Sequence, residues 1–163
     1  MAENILSQED VKKLFLYKDG DLYWKVYTNP RAPIGAKAGS FNKHNQRRYI
    51  RINKIRYVAH RLIFLYHHGW LPIEVDHIDT CRTNNSIENL RAATSSQNQH
   101  NKRLQNNNTS GAKNVSYCLG RWEVKLKVNK KQIHIGRFDN FESAQLAAIM
   151  AREKYHGDFA QHG

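Results

Sequence analysis

"EVDHIDTCRTNNSIENLRAATSSQNQHNK", residues 74–102, decides the reading of this chain. Residues 73–78, "IEVDHI", have the length and alternation of a short strand. A polar loop follows at 79–90, and "RAAT" supplies a second short strand. Thr94 and Gln97 form a capping box that predicts a helix through about Leu104. The order is strand, loop, strand, helix. Asp76 and His77 end the first strand, and Asn98 in the first turn of the helix can point back toward them. A carboxylate and an amide oxygen suit a hard divalent cation, Mg²⁺ or Mn²⁺. His77 points to the opposite side of the strand from Asp76. An imidazole with a pKa of about 6.5 can take a proton from water near neutral pH. Base, cation and a phosphate-seeking surface are the parts of phosphodiester hydrolysis.

The surface is read from charge. The chain of 163 residues has a formal net charge of +12, which favours a polyanionic partner and nucleic acid first. Residues 1–70 contribute +8, residues 71–110 are neutral, and residues 111–163 contribute +4. No acid occurs between Asp21 and Glu74, while that interval carries ten lysines and arginines. Arg47, Arg48, Arg51, Lys54 and Arg56 are the candidate phosphate contacts, with tyrosines interleaved. No apolar run is long enough to span a membrane, and the N-terminus has no basic-then-apolar targeting pattern. The expected location is cytoplasmic, with double-stranded DNA as partner and no membrane. Cys81 and Cys118, without neighbouring cysteines, read as free thiols rather than a zinc knuckle or disulfide framework.

Elsewhere the local signals are strong. Ser7 and Asp10 bracket a helix start. Asp19-Gly20 and Asn53-Lys54 each sit at the centre of a hairpin. Residues 59–69, "AHRLIFLYHHG", form a helix stopped by Gly69, with His60 as a packed structural residue. Residues 121–128 and 131–138 alternate about a turn at Asn129-Lys130. Trp122, Val124, Leu126 and Val128 face one way; Glu123, Lys125 and Lys127 face the other. Asn140 caps a helix whose buried stripe is Phe141, Ala144, Ala148, Ala151 and Tyr155.

The quoted stretch resembles the HNH endonuclease motif of the ββα-metal fold, the phage and intron homing nucleases in particular. The Asp-His pair, the Asn-rich loop, "IENLR" and "QNQHNK" occur in the family's order. The resemblance implies that His77 is the general base and Asp76 a metal ligand. It makes Asn89 the middle residue, bracing the loop that orients His77, and Asn98 the second ligand. The third motif position is Asn here rather than His. Asn101 and His100 are alternate ligands, Asn101 the closer rival because it shares a helical face with Asn98. Residues 109–160 resemble the Apetala-two/ethylene-response-factor DNA-binding domain through "RWEVKLKV", "IHIGRFDNFESAQLAA" and "YHGDFA". That resemblance places Trp122, Lys125, Lys127 and His134 near DNA, although the strand phase buries Trp122. Ser116, Cys118 and Gln132 replace arginines of the plant readers, which implies weaker, phosphate-led binding.

The expected fold is α+β: N-terminal hairpins and helices, a ββα-metal core, then a three-stranded antiparallel sheet packed on one helix. The expected divisions are a basic leader at 1–70, the nuclease core at 71–104, a linker at 105–110 and a DNA-binding domain at 111–163. The function expected is a metal-dependent DNA endonuclease of homing type, nicking as a monomer or cutting both strands as a homodimer. The alternative is a non-catalytic DNA-binding protein or regulator with a degenerate HNH core. In a third reading Asp76, His77 and Asp79 form only a structural turn.

Overall fold

The computed structural model describes residues 6–162; the first five residues, on which the reading of the N-terminus partly rests, lie outside them. Among the described residues the fold is α+β, built from small antiparallel sheets and four α-helices. Two compact units divide between Ala93 and Thr94.

The first unit begins with α1 (Gln8–Leu14), whose Ser7–Asp10 capping box forms as expected. The hairpin β1 (Phe15–Lys18) and β2 (Asp21–Trp24) follows directly. A three-stranded sheet comes next: β3 (Ser40–Asn42), β4 (Arg47–Ile52) and β5 (Ile55–Val58), with β4 in the middle. Strand β3 is additional to the expected hairpin. Helix α2 (Ala59–His68) ends at Gly69, which is left-handed at φ 77°. The unit closes with β6 (Glu74–His77) and β7 (Leu90–Ala93), paired antiparallel so that His77 faces Leu90 and Asp76 faces Arg91.

One hydrophobic cluster holds all of this together. Val11, Phe15, Leu22, Ile50, Leu62, Ile63, Val75 and Leu90 are among its buried members. It joins the basic N-terminal segments to β6 and β7 in a single core. Burial of each large side chain is worth roughly 1.5–3 kcal/mol, so the hairpin and α2 form the platform on which β6 rests. The turn of the first hairpin presses on the loop after β6. A Cβ placed on Gly20 would lie 3.1 Å from Ser86 N and 3.3 Å from the Asn85 carbonyl carbon, and its φ of +79° is already costly for other residues. Ile87 N donates to the Tyr17 hydroxyl at 3.1 Å, a second tie between hairpin and loop.

The second unit begins with α3 (Ser95–His100), opened by the Thr94–Gln97 capping box. The helix ends at His100 rather than near Leu104, with Asn101 as its C-cap. It buries no residue of its own, so no apolar contact extends it, and Lys113 Nζ takes up the His100 and Lys102 carbonyls at 3.3 and 2.5 Å. Strands β8 (Val115–Cys118), β9 (Arg121–Val128) and β10 (Lys131–Phe138) form a sheet with β9 central, and α4 (Phe141–His156) packs on it. Ala112, Val115, Val124, Ala144 and Ala148 make this core.

Two burial expectations change. On α4, Tyr155 is 40% exposed, and Arg152 is buried in its place; Arg152 Nη1 donates to the Lys113 carbonyl at 2.7 Å. On β9, Glu123 is buried although its strand phase faces away from the helix, because Lys125, His134 and Arg137 close over it. The Asn53-Lys54 and Asn129-Lys130 turns both take left-handed φ values of 49° followed by 66–68°, as tight hairpins require.

Phe15 is fully buried, 4.5 Å from the Trp24 ring, while its neighbour Leu16 is 52% exposed. Phe15→Ala should lower the stability of the first unit by about 3–5 kcal/mol, and Leu16→Ala by under about 0.5 kcal/mol, in urea titrations. Equal losses would contradict this burial pattern.

Candidate active site

The site is built on β6 and the loop that follows it. The alternation of β6 is suspended at its end: Val75, Asp76 and His77 are all buried. Val75 and His77 share the face that rests on the core and the His60 ring, and Asp76 on the other face meets the Arg91 side chain. Asp76 Oδ2 receives Arg91 Nε at 3.0 Å, with Nη2 2.9 Å away. This is a pair across the two strands, set by the register that puts Arg91 opposite Asp76.

His77 is 5% exposed and its Nε2 lies 3.0 Å from Asn85 Oδ1. The His60 ring, at the start of α2, packs on it with centroids 4.9 Å apart. Behind His60, Arg47 Nη1 approaches His60 Nε2 at 3.4 Å. Burial, the largest influence, pushes the His77 imidazole below its ordinary value; Arg47 adds to this, while Asn85, Asp79 and Asp76 oppose it. Burial likewise drives His60 down to about 2, helped by His77, Arg47 and Arg61. Both rings are therefore neutral at pH 7.

The loop is knotted by Asp79. Its carboxylate accepts the Cys81 N–H at 2.7 Å, Asn84 Nδ2 at 2.8 Å and Asn89 Nδ2 at 2.9 Å. Asn89 closes the ring from the other side: its Oδ1 accepts the Asp79 N–H at 3.0 Å and its Nδ2 also donates to the Asn84 carbonyl at 2.8 Å. Burial raises the Asp79 pKa, but the three donors outweigh it and hold it below the usual carboxylate value. Asn89 thus ties the two ends of the loop, and Asn85 sits within the closed segment, 7% exposed.

The expected residues fall in different places. Asp76, His77 and Asn89 are in the first unit. Asn98, His100 and Asn101 are in the second, with Asn98 half-buried on α3 and Asn101 buried at its cap. His100 stacks on His156 at 3.6 Å between centroids. Arg91, His60 and Arg47, which touch Asp76 or His77 or support that contact, carry no signal in the sequence pattern read as a strand-loop-strand. Only the two asparagines at 84–85 mark the loop as more than a spacer.

The donor chemistry on β6 fits a hard cation that keeps much of its coordination for water and phosphate. Asp76 offers one carboxylate. No group of three or more His, Cys, Asp or Glu able to hold a metal occurs among the described residues. A cation on Asp76 would share the carboxylate with Arg91.

Basic side chains divide between surface and scaffold. Arg51, Lys54 and Arg56 are exposed on the β3–β4–β5 sheet, and Arg56 lies 3.6 Å over the Tyr49 ring. Beside them is a groove of about 590 Å³ lined by Phe41, Lys43, His44, Arg51 and Arg56 among others. Arg47 is turned toward His60, and Arg48 Nη1 donates to the Gly39 carbonyl at 2.9 Å. In the second unit Lys127 and His134 are exposed, and Lys125 holds Glu123 at 2.6 Å. Trp122 packs against Phe141 at 4.9 Å, on the helix side of the sheet and away from those cations.

Residues 57–100 match a protein-family model described as HNH endonuclease. The match begins at the end of β5 and so includes α2 with His60. Over 94 residues the chain is 33% identical to "Protein 3.8" of Escherichia phage T7, covering 53% of this chain and 73% of that protein. The chain belongs to the family of this phage protein. No solved structure matches it. No helix among the described residues is long and apolar enough to cross a membrane.

The neutral burial of His60 has a consequence in acid. Its folded pKa lies below its unfolded value, so the unfolded chain binds the proton first and stability falls as pH drops below about 6.5. The limiting slope from this one group is about 1.4 kcal/mol per pH unit. Urea midpoints between pH 7 and pH 5 should decline in the wild-type chain, and His60→Phe should flatten that decline. An unchanged slope in the variant would contradict a buried neutral His60.

Proposed function

We propose that the chain is a metal-dependent DNA endonuclease of the homing type, hydrolysing phosphodiester bonds in double-stranded DNA. The observation that carries this reading is a buried, neutral histidine beside a buried carboxylate at the end of β6, inside the stretch that matches the HNH endonuclease family.

His77 takes a proton from the attacking water. Its depressed pKa keeps it unprotonated and able to do so at neutral pH. Asn89 and Asp79 hold the loop closed, which fixes the ring's surroundings. Asp76 is the proposed holder of a divalent ion, Mg²⁺ or Mn²⁺. When bound, such an ion supplies positive charge for the departing 3′ oxygen. The products are a 5′-phosphate and a 3′-hydroxyl. Arg51, Lys54 and Arg56 line the first unit's DNA-facing surface, with Arg47 and Arg48 as its internally anchored supports. The sheet-and-helix unit at 111–163 acts as an ethylene-response-factor-like DNA-binding domain through Lys125, Lys127 and His134, with Trp122 supporting the sheet from behind. One site per chain nicks as a monomer and cuts both strands as a homodimer. A phage-encoded nuclease of this kind would act in the host cytoplasm.

The Arg91–Asp76 pair favours a second reading. A guanidinium that neutralises the Asp76 carboxylate would suit a non-catalytic DNA-binding protein with a degenerate core.

Supercoiled plasmid separates the two. With Mg²⁺ or Mn²⁺ the wild-type chain should nick it, EDTA should stop the reaction, and His77→Ala should lose about 10²-fold or more while still binding DNA. Equal cleavage by wild type and His77→Ala would remove His77 from the mechanism. Failure to cleave any DNA, including that of the source genome, would favour the second reading.

A further inference from the structure

A histidine that serves as a base must be held in one tautomer and one rotamer. Around His77 the HNH motif names Asn89, yet Asn89 spends its amide on Asp79 and the Asn84 carbonyl. The side chain placed on the His77 ring nitrogen is Asn85. We propose that Asn85 is a positioning residue for His77: its amide oxygen accepts the Nε2–H and selects the tautomer whose basic lone pair lies on Nδ1. The proposal rests on the reading of His77 as the general base.

An amide oxygen only accepts, so the 3.0 Å contact between Asn85 Oδ1 and His77 Nε2 requires the proton on Nε2. Both groups are buried, at 7% and 5% exposure, so breaking the bond would leave polar atoms in a site with little access to water. Asn85 has little freedom to move away. Its backbone lies against Gly20, and the loop on either side is tied by Asp79 and Asn89.

The ring face is held by a second pair. Arg47 can only donate, so the Nε2 of His60 accepts from it and the His60 proton sits on Nδ1. A neutral His60 can pack 4.9 Å from His77 without repelling it. Arg47 acts on His77 through His60, while Asn85 acts on it directly. A merely structural Asn85 would keep the loop folded and leave the His77 tautomer indifferent.

Long-range ¹H–¹⁵N correlation spectra of the ¹⁵N-labelled full chain read the tautomer without DNA or metal. His77 should be predominantly Nε2-protonated in the wild type, a measurement that needs no variant. Asn85→Leu should populate both tautomers, and Asn85→Asp, which keeps an acceptor, should restore the preference. In single-turnover nicking, Asn85→Leu should lower the cleavage rate about ten-fold or more with DNA affinity unchanged, and Asn85→Asp should recover part of it. A wild-type His77 protonated on Nδ1 would overturn the proposal. So would a folded Asn85→Leu chain with the wild-type tautomer. Expected tautomers in proteins that cleave no DNA would uphold the positioning role and overturn the nuclease reading instead.

Discussion

The carboxylate of Asp79 holds three donors from its own loop, and the rest of the site depends on that knot. It gathers Cys81, Asn84 and Asn89 around one charge. The loop between β6 and β7 is polar and would otherwise have many conformations to lose on ordering. With the knot tied, Asn85 is delivered to His77, and Ile87 and Ser86 are delivered to the first hairpin. Charge matters as much as geometry here. A carboxylate engaged by three hydrogen bonds stays ionised, so the loop keeps its shape throughout the neutral range.

The platform beneath the loop explains the length of chain that precedes it. Residues before β6 are rich in cations and look like a DNA-contacting leader. In the folded unit their apolar residues are the core on which β6 and β7 rest. Some cations have likewise turned inward: Arg47 supports His60, and Arg48 bonds the Gly39 carbonyl. Arg51, Lys54 and Arg56 stay at the surface. One segment thus serves two physical tasks, core packing through its alternate apolar positions and anion attraction through the positions between them.

Local signals were legible in the sequence and long-range ones were not. The capping boxes at Ser7 and Thr94 and the turns at Asp19-Gly20 and Asn53-Lys54 depend on residues within four positions of each other, and all formed. Asp76 and His77 stood out because an acid and an imidazole side by side at a strand end are chemically conspicuous. Their partners were hidden. Arg91 meets Asp76 only through strand register, and His60 meets His77 only because α2 packs beneath β6. The burial of Glu123 and of Arg152 is hidden from the sequence for a related reason. Periodicity assigns a charged residue to solvent, yet three cations can bury a carboxylate, and a backbone carbonyl with an amide oxygen can bury a guanidinium.

The central claim is that a neutral His77 removes a proton from water in a site whose other parts remain intact without it. Chemical rescue tests this most directly. His77→Gly should cleave a DNA duplex far more slowly than the wild-type chain, and added imidazole should restore cleavage in proportion to its concentration. A His77→Gly chain that cleaves at the wild-type rate without imidazole would contradict the account.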